Sequence, residues 1–302
     1  MALARFVPVL RAATGLCNTR DKVRLKYDLK AGTSQLAEAV NVDIDDSGRV
    51  SRNIGYTRKR SEVSHSAWSD GENCLYVSGD ALFRLNSDYS RTGIRSGLTL
   101  GARVSYTQVA GRIYYMNGFE KGFVAGVQSH PWVAGEPGVP TSNVAYSDPP
   151  LGHNIAWAFG RVLVARDNLI FASEPAFYGR FNLAKFHGEG ERITMMRPVV
   201  GGLFVGTEGK VIFYRGERWE NLTRVVLANY GVLEDSSAWC QPEALNVEVD
   251  GRLVVFSTPK GVCVGGPDGM FRNLTDDELD LPVAKRATGA VIGSRYITHI
   301  AP

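Results

Sequence analysis

Side chains able to do chemistry are scattered through this sequence rather than clustered. The five histidines, His65, His130, His153, His187 and His299, show no H-x-H or H-E-x-x-H spacing, so no local metal site is written. Lone histidines beside hydrophobic runs read as structural. The four cysteines, Cys17, Cys74, Cys240 and Cys263, form no C-x-x-C pair, which argues against a zinc site or a dense disulfide scaffold. Cys74 and Cys263 lie inside hydrophobic runs and read as buried free thiols of a protein made in a reducing compartment. The stretch Asp43-Ile44-Asp45-Asp46-Ser47-Gly48 begins like a calcium loop, but Ile54 stands where such a loop needs its bidentate glutamate. A hairpin turn is expected there. The acidic run Asp276-Asp277-Glu278-Leu279-Asp280 could in principle supply the paired carboxylates of glycoside cleavage. It follows Asn-Leu-Thr, however, and reads as a capped surface turn. With no G-x-S-x-G elbow and no phosphate-binding loop, and with GGPDG at 265–269 reading as a tight turn, no catalytic, cofactor-binding or metal-binding residue is nominated.

The elements that would carry any site are more legible. A glycine opening a strand-like run recurs at Gly71, Gly111, Gly160, Gly202, Gly251 and Gly293, with gaps of 40, 49, 42, 49 and 42 residues. The runs are CLYVS from Cys74, RIYYM from Arg112, RVLVA from Arg161, LFVGT from Leu203, RLVVF from Arg252 and RYITHI from Arg295. A second run follows the first five: ALFRL from Ala81, GFVAG from Gly122, NLIFA from Asn168, KVIFY from Lys210 and GVCVG from Gly261. Paired strands at a period in the forties suit a propeller blade, whose sheet buries both faces only between neighbouring blades. The expectation is an all-β chain of 302 residues, a six-bladed β-propeller over 37–302 preceded by an irregular N-terminal arm over 1–36.

Two features address how such a ring would close. Val40, Val42 and Ile44 alternate before the turn Asp46-Ser47-Gly48, a hairpin signal over 40–58, and the chain ends on the unpaired run RYITHI. If these shared a sheet, the first and last segments would complete one blade and leave no open edge. The arm holds a possible helical turn at Ser34 to Ala39, and its apolar residues Phe6, Val7, Val9 and Leu10 are candidates for an interface, docking either on the chain's own propeller or on a neighbour. The proline-rich segment from His130 to Gly152 reads as a long exposed loop, where binding residues concentrate, and Trp132 and Tyr146 are its candidates. The echo WENLT at 219–223 and FRNLT at 271–275 suggests a repeated outer strand.

Charge restricts partners only weakly. The net charge of +3 is too small to imply nucleic acid unless the chain lines a channel. The basic run Thr57 to Arg60, with Arg49 and Arg52, reads as a solvated strand edge, contact with DNA being the sharper alternative. Pro8 and Arg11 interrupt the apolar start, and no segment reaches the length of a membrane span, so neither export nor anchoring is expected.

The segment VNVDIDDSGRVSRNIGYTRKR at 40–60 resembles the opening of propeller-type tail proteins of tailed bacteriophages, where an N-V-D, G, R, G-Y pattern precedes the first blade, here Asn41-Val42-Asp43, Gly48, Arg52 and Gly55-Tyr56. The stretches 167–183, 206–232 and 261–282 are similar to the same group. The resemblance implies a non-enzymatic virion protein made in the bacterial cytoplasm, located in the tail as a nozzle, tip or baseplate component. Implied partners are other tail proteins, copies of itself around the tail axis and a host surface receptor, with no cofactor. A receptor- or carbohydrate-binding propeller for host adsorption is the alternative.

Overall fold

Where an apolar β-branched or aromatic run meets a residue pair that tolerates positive φ, the chain reverses into a hairpin. That pattern recurs through most of the molecule. The computed structural model, which describes residues 12–28, 30, 32–45, 47–53, 55, 57–135, 146–245, 247–275, 278–293 and 295–300, is all-β, with 52% of it in strands and no α-helix among the described residues.

A small sheet comes first, formed by β1 (Ala12–Leu16), β2 (Tyr27–Asp28) and β3 (Thr33–Leu36) in the order β1-β3-β2, with β1 and β3 parallel. A hairpin follows, β4 (Val42–Ile44) and β5 (Val50–Arg52). Five four-stranded antiparallel meanders come next, each in sequential order. They are β6 (His65–Ser69), β7 (Cys74–Ser78), β8 (Ala81–Leu85) and β9 (Arg91–Arg95); β10 (Ser105–Val109), β11 (Arg112–Met116), β12 (Lys121–Ala125) and β13 (Gln128–His130); and β14 (Asn154–Ala158), β15 (Arg161–Arg166), β16 (Leu169–Glu174) and β17 (Phe177–Gly188). The fourth and fifth are β18 (Ile193–Val199), β19 (Gly202–Thr207), β20 (Val211–Arg215) and β21 (Thr223–Ala228), then β22 (Ala238–Cys240), β23 (Leu253–Thr258), β24 (Gly261–Gly265) and β25 (Phe271–Asn273). A terminal pair, β26 (Ala287–Ile292) and β27 (Arg295–Ile300), ends the array.

Packing makes this array propeller-like. Alternate residues of one strand point to opposite faces, and each face meets a different neighbouring sheet. On β11, Ile113 and Tyr115 join Leu75, Val77 and Leu82 of the first meander, while Tyr114 and Met116 join Ile155, Val162 and Phe171 of the third. Leu163 and Ile170 then pack on Leu203 and Ile212, and Phe204 and Phe213 pack on Val254 and Phe256. Leu253 and Val255 close the series against Val291 and Tyr296 of the terminal pair. Side chains latch across the same seams: Trp132 Nε1 donates to the Tyr178 carbonyl at 2.9 Å, and His187 Nε2 lies 3.0 Å from the Trp219 carbonyl.

The recurring glycines sit in the turn between the first and second strand of each unit. Gly71, Gly111, Gly160, Gly251 and Gly293 have φ of 97°, 72°, 70°, 101° and 61°. In the fourth unit this role falls to Gly201 (φ 81°), and Gly202 instead opens β19 under the Phe213 ring.

Several local expectations are corrected. The segment around Ser34 is strand β3 rather than a helical turn, because Ser34 and Leu36 pair with β1. The described residues between 12 and 36 hold the three-stranded sheet and a 3-10 turn at Lys22–Arg24 rather than irregular chain. They dock on their own chain: the Asn18 side-chain amide donates to the Asp280 carbonyl while its Oδ1 accepts from the Asp280 amide, both at 2.8 Å. RYITHI is paired, with β26 before it. The hairpin and the terminal pair are separate two-stranded sheets, linked by an Arg295–Asp43 ion pair of 2.9 Å rather than by a described ladder. Trp219–Asn221 is a 3-10 turn whereas Phe271–Asn273 is a strand, so the Asn-Leu-Thr echo has no common structural meaning. Residues 57–60 are not in a strand. Arg60 instead pairs with Glu62 and donates to the Tyr89 carbonyl at 2.8 Å, tying this connection to the first meander.

Candidate functional site

The first strand of each meander is its innermost, and β10 lies beside β14, which lies beside β18. Two cavities open at opposite ends of these inner strands. One, of about 600 Å³, is lined by their C-terminal ends, and the other, of about 520 Å³, by the residues that lead into their N-termini. Both volumes fall in the range of small-molecule pockets.

The first cavity is aromatic. Trp68, Trp157 and Trp239 are the penultimate residues of β6, β14 and β22. Their partners across the ladder, Leu75, Val162 and Val254, stand at matching places on the second strands, so the three indoles occupy one register position on alternate meanders. The intervening meanders place Gln108 and Pro198 at that position, opposite Ile113 and Leu203. Trp157 is 44% exposed, although a tryptophan on an inner strand could have been buried. Trp68 stacks on Tyr106 with ring centroids 6.0 Å apart. Arg197 lies over Trp239 at 5.6 Å and donates to the Ser237 side chain at 2.9 Å. Burial pushes the Arg197 guanidinium down to about 10, against the opposing pull of Asp235.

The second cavity is ionic. Glu234 accepts from Arg192 at 3.0 Å and from Arg286 at 2.6 Å, which ties the fourth, fifth and terminal units together. Burial alone would raise the Glu234 pKa, but the Arg286 hydrogen bond and the Arg286 and Arg192 charges outweigh it and hold it below the usual carboxylate range. Next to it Asp235 behaves oppositely. Burial and the Glu234 charge raise its pKa, and Arg103, at 3.9 Å, only partly offsets them. His153 Nε2 lies 2.6 Å from the Ile193 carbonyl, and burial, with the nearby Arg192, holds the ring below its ordinary pKa. A neutral imidazole that donates to a carbonyl is a latch between the third and fourth units. No group of three or more His, Cys, Asp or Glu that could hold a metal occurs among the described residues.

The sequence candidates lie elsewhere. Trp132 is 3% exposed, and its ring packs against Tyr114 and Phe181 in the seam between the second and third meanders. Its indole is a core group and presents no face to a partner, because the loop that carries it folds back into the seam. Tyr146 is half-buried, with Arg180 5.8 Å above its ring. Phe6, Val7, Val9 and Leu10 lie outside the described residues, as do 136–145 of the long loop. Of the acidic run, Glu278 pairs with Lys26 and Asp280 with Lys260, so its described part anchors the N-terminal sheet. All four cysteines are free. Missing from the sequence reading were the tryptophans of the aromatic cavity. A signal existed: Trp68 and Trp157 each stand three residues before a turn glycine, Gly71 and Gly160.

No family model matches the chain, and no curated protein matches it in sequence. Among solved structures it is similar to the extracellular domain of the putative hybrid two-component system BT4673 from B. thetaiotaomicron, at 11% identity and a TM-score of 0.45. That match covers 74% of this chain but 29% of the sensor domain, so the chain spans under a third of its length. It is similar to XC5397 from Xanthomonas campestris, a gluconolactonase, at 13% identity and a TM-score of 0.46, covering 80% and 84% of the two chains. It is also similar to the computationally designed Ika8 protein, at 10% identity and a TM-score of 0.47, covering 87% and 92%. Likenesses at this level carry nothing about function.

Proposed function

We propose that the chain is a non-enzymatic structural protein of a tailed-phage virion, a rigid six-bladed propeller that serves as an adaptor in the tail, at the tip or baseplate or as a nozzle. The reading rests on one observation: the phage-like segment 40–60 carries the hairpin β4-β5, and that hairpin is tied to the last strand through Asp43 and Arg295. In this reading β26 and β27 are the inner strands of a sixth blade and the hairpin supplies its outer strands. Such a closure would leave no open sheet edge and would brace the ring for assembly with other tail proteins and with copies of itself around the tail axis.

DNA would meet this protein only between copies. A cavity of about 600 Å³ is suited to a small molecule, and duplex DNA has a major groove alone about 12 Å wide. A nozzle role would therefore place DNA on the axis of a ring of subunits and not inside one propeller.

Electron cryomicroscopy of virions, with this chain traced in the tail density, tests the reading. Expected are several symmetry-related copies in the tail. Particles that lack the chain altogether would end it. The adsorption alternative loses Trp132 to the core but gains the aromatic cavity, which is an open and concave surface.

A further inference from the structure

Leaving a tryptophan in water forgoes about 2 kcal/mol or more of burial, so an indole 44% exposed on a rigid scaffold, as at Trp157, asks for an explanation. Here three of the five tryptophans of the chain share one register position on alternate inner strands and line one cavity of about 600 Å³. Trp68 and Trp239 each rest one side on a seam cluster, whereas Trp157 joins none, and the intervening meanders hold Gln108 and Pro198 at the same position, so the fold does not require an indole there.

Polar groups between the indoles define the ligand. Gln108, Glu217 and Arg252 line the cavity, are exposed, and have no hydrogen-bond partner among the described residues. Arg197 and Arg252 are balanced by Asp70 and Glu217, so the cavity presents no excess of one sign that would select an ion. Flat aromatic faces combined with donors and acceptors around them, without net charge, match a pyranose ring. Its C–H face is apolar and its equatorial hydroxyls both donate and accept. An apolar peptide would leave Gln108, Glu217 and Arg252 desolvated and unpaired, at a cost of about 1–3 kcal/mol for each.

We propose that the cavity walled by Trp68, Trp157 and Trp239 binds a neutral oligosaccharide. This deepens the adsorption alternative by giving it a site and a ligand class, and it is independent of whether the chain is a tail adaptor, which virion imaging decides separately.

Tryptophan fluorescence of the full chain would be titrated with maltohexaose, cellohexaose and chitohexaose, at low and high sodium chloride. Expected is a saturable change with at least one of them, insensitive to salt. It should weaken roughly tenfold or more in Trp157→Ala, recover partly in Trp157→Phe, and persist in Phe119→Ala, a change at the opposite cavity. Trp157 is 44% exposed and belongs to no core cluster, so its replacement should leave the circular dichroism spectrum unchanged; if it does not, Gln108→Ala on the neighbouring strand replaces it and should weaken binding. Three results would overturn the proposal: no saturable change with any of the three sugars, binding that survives Trp157→Ala and Gln108→Ala, or binding lost in salt, which would mark an electrostatic site.

Discussion

Among individual residues, Glu234 holds the most consequential polar position, because it is the common partner of Arg192 and Arg286. Its pKa is lower in the folded protein than its ordinary value. The stability it contributes is therefore fully present above the ordinary glutamate pKa and is lost as pH falls through the depressed folded value. Asp235, with a raised pKa, acts in the opposite sense: its contribution is present at low pH and is lost as pH rises through its folded value. Glu234→Gln should lower the unfolding free energy by about 1–3 kcal/mol near neutral pH, and the deficit should shrink as pH falls through the depressed folded pKa of Glu234. Urea titrations of both proteins across that range measure it, and a deficit that stays constant with pH would refute it. Trp132→Ala should cost about 3–5 kcal/mol, as for any large buried aromatic. Tyr106 differs. Its hydroxyl is buried with no hydrogen-bond partner among the described residues, so Tyr106→Phe should leave stability unchanged or raise it by up to about 1 kcal/mol; thermal unfolding reads both. The structural reading of His153 and His187 was legible in the sequence because neither has a partner at metal-binding spacing. The burial of Trp132 was not, since the sequence around it is rich in loop residues and nothing local says that the loop turns inward.

At the scale of the element, the two-strand repeat was legible because it rests on local physics: alternating apolar residues and a glycine in the left-handed region. The second strands fall at or within a residue or two of the runs read from Cys74, Arg112, Arg161, Leu203, Arg252 and Arg295. What the repeat concealed was its phase, since each glycine lies inside a sheet, between its first and second strands, and does not open a unit. Two turn substitutions separate the roles. Gly160→Ala meets no neighbour but must adopt φ near 70°, and should cost about 1–2 kcal/mol. At Gly202 φ is ordinary, but an added Cβ would lie 2.3 Å from the Tyr214 carbonyl and 2.5 Å from the Phe213 ring. Gly202→Ala should therefore exceed that loss, through overpacking of about 1–3 kcal/mol or more. Chemical denaturation of the two variants decides the order, and an equal or smaller loss for Gly202→Ala would count against the assigned clash.

For the whole molecule, stability comes from seams between successive sheets, so each sheet depends on its neighbours much as repeats in an array do. Deleting 285–302 would expose Leu253, Val255 and Val264 along the last seam, and the truncated chain should associate or aggregate, as size-exclusion chromatography would show. Arg295→Ala alone should cost no more than about 1 kcal/mol, because its ion pair with Asp43 is exposed. A truncated chain that remained monomeric and as stable as the full one would show that the terminal pair is not part of the array. By itself the sequence determined the two paired runs of each unit and their near-constant spacing, since these depend on residues a few positions apart. Only the tertiary structure decided that Trp68, Trp157 and Trp239 meet in one cavity, that Arg192, Glu234 and Arg286 join three units, and that Asn18 and Lys26 anchor on Asp280 and Glu278. Those groupings depend on where separate sheets come to rest against one another, a long-range outcome of packing that no local pattern in the chain records.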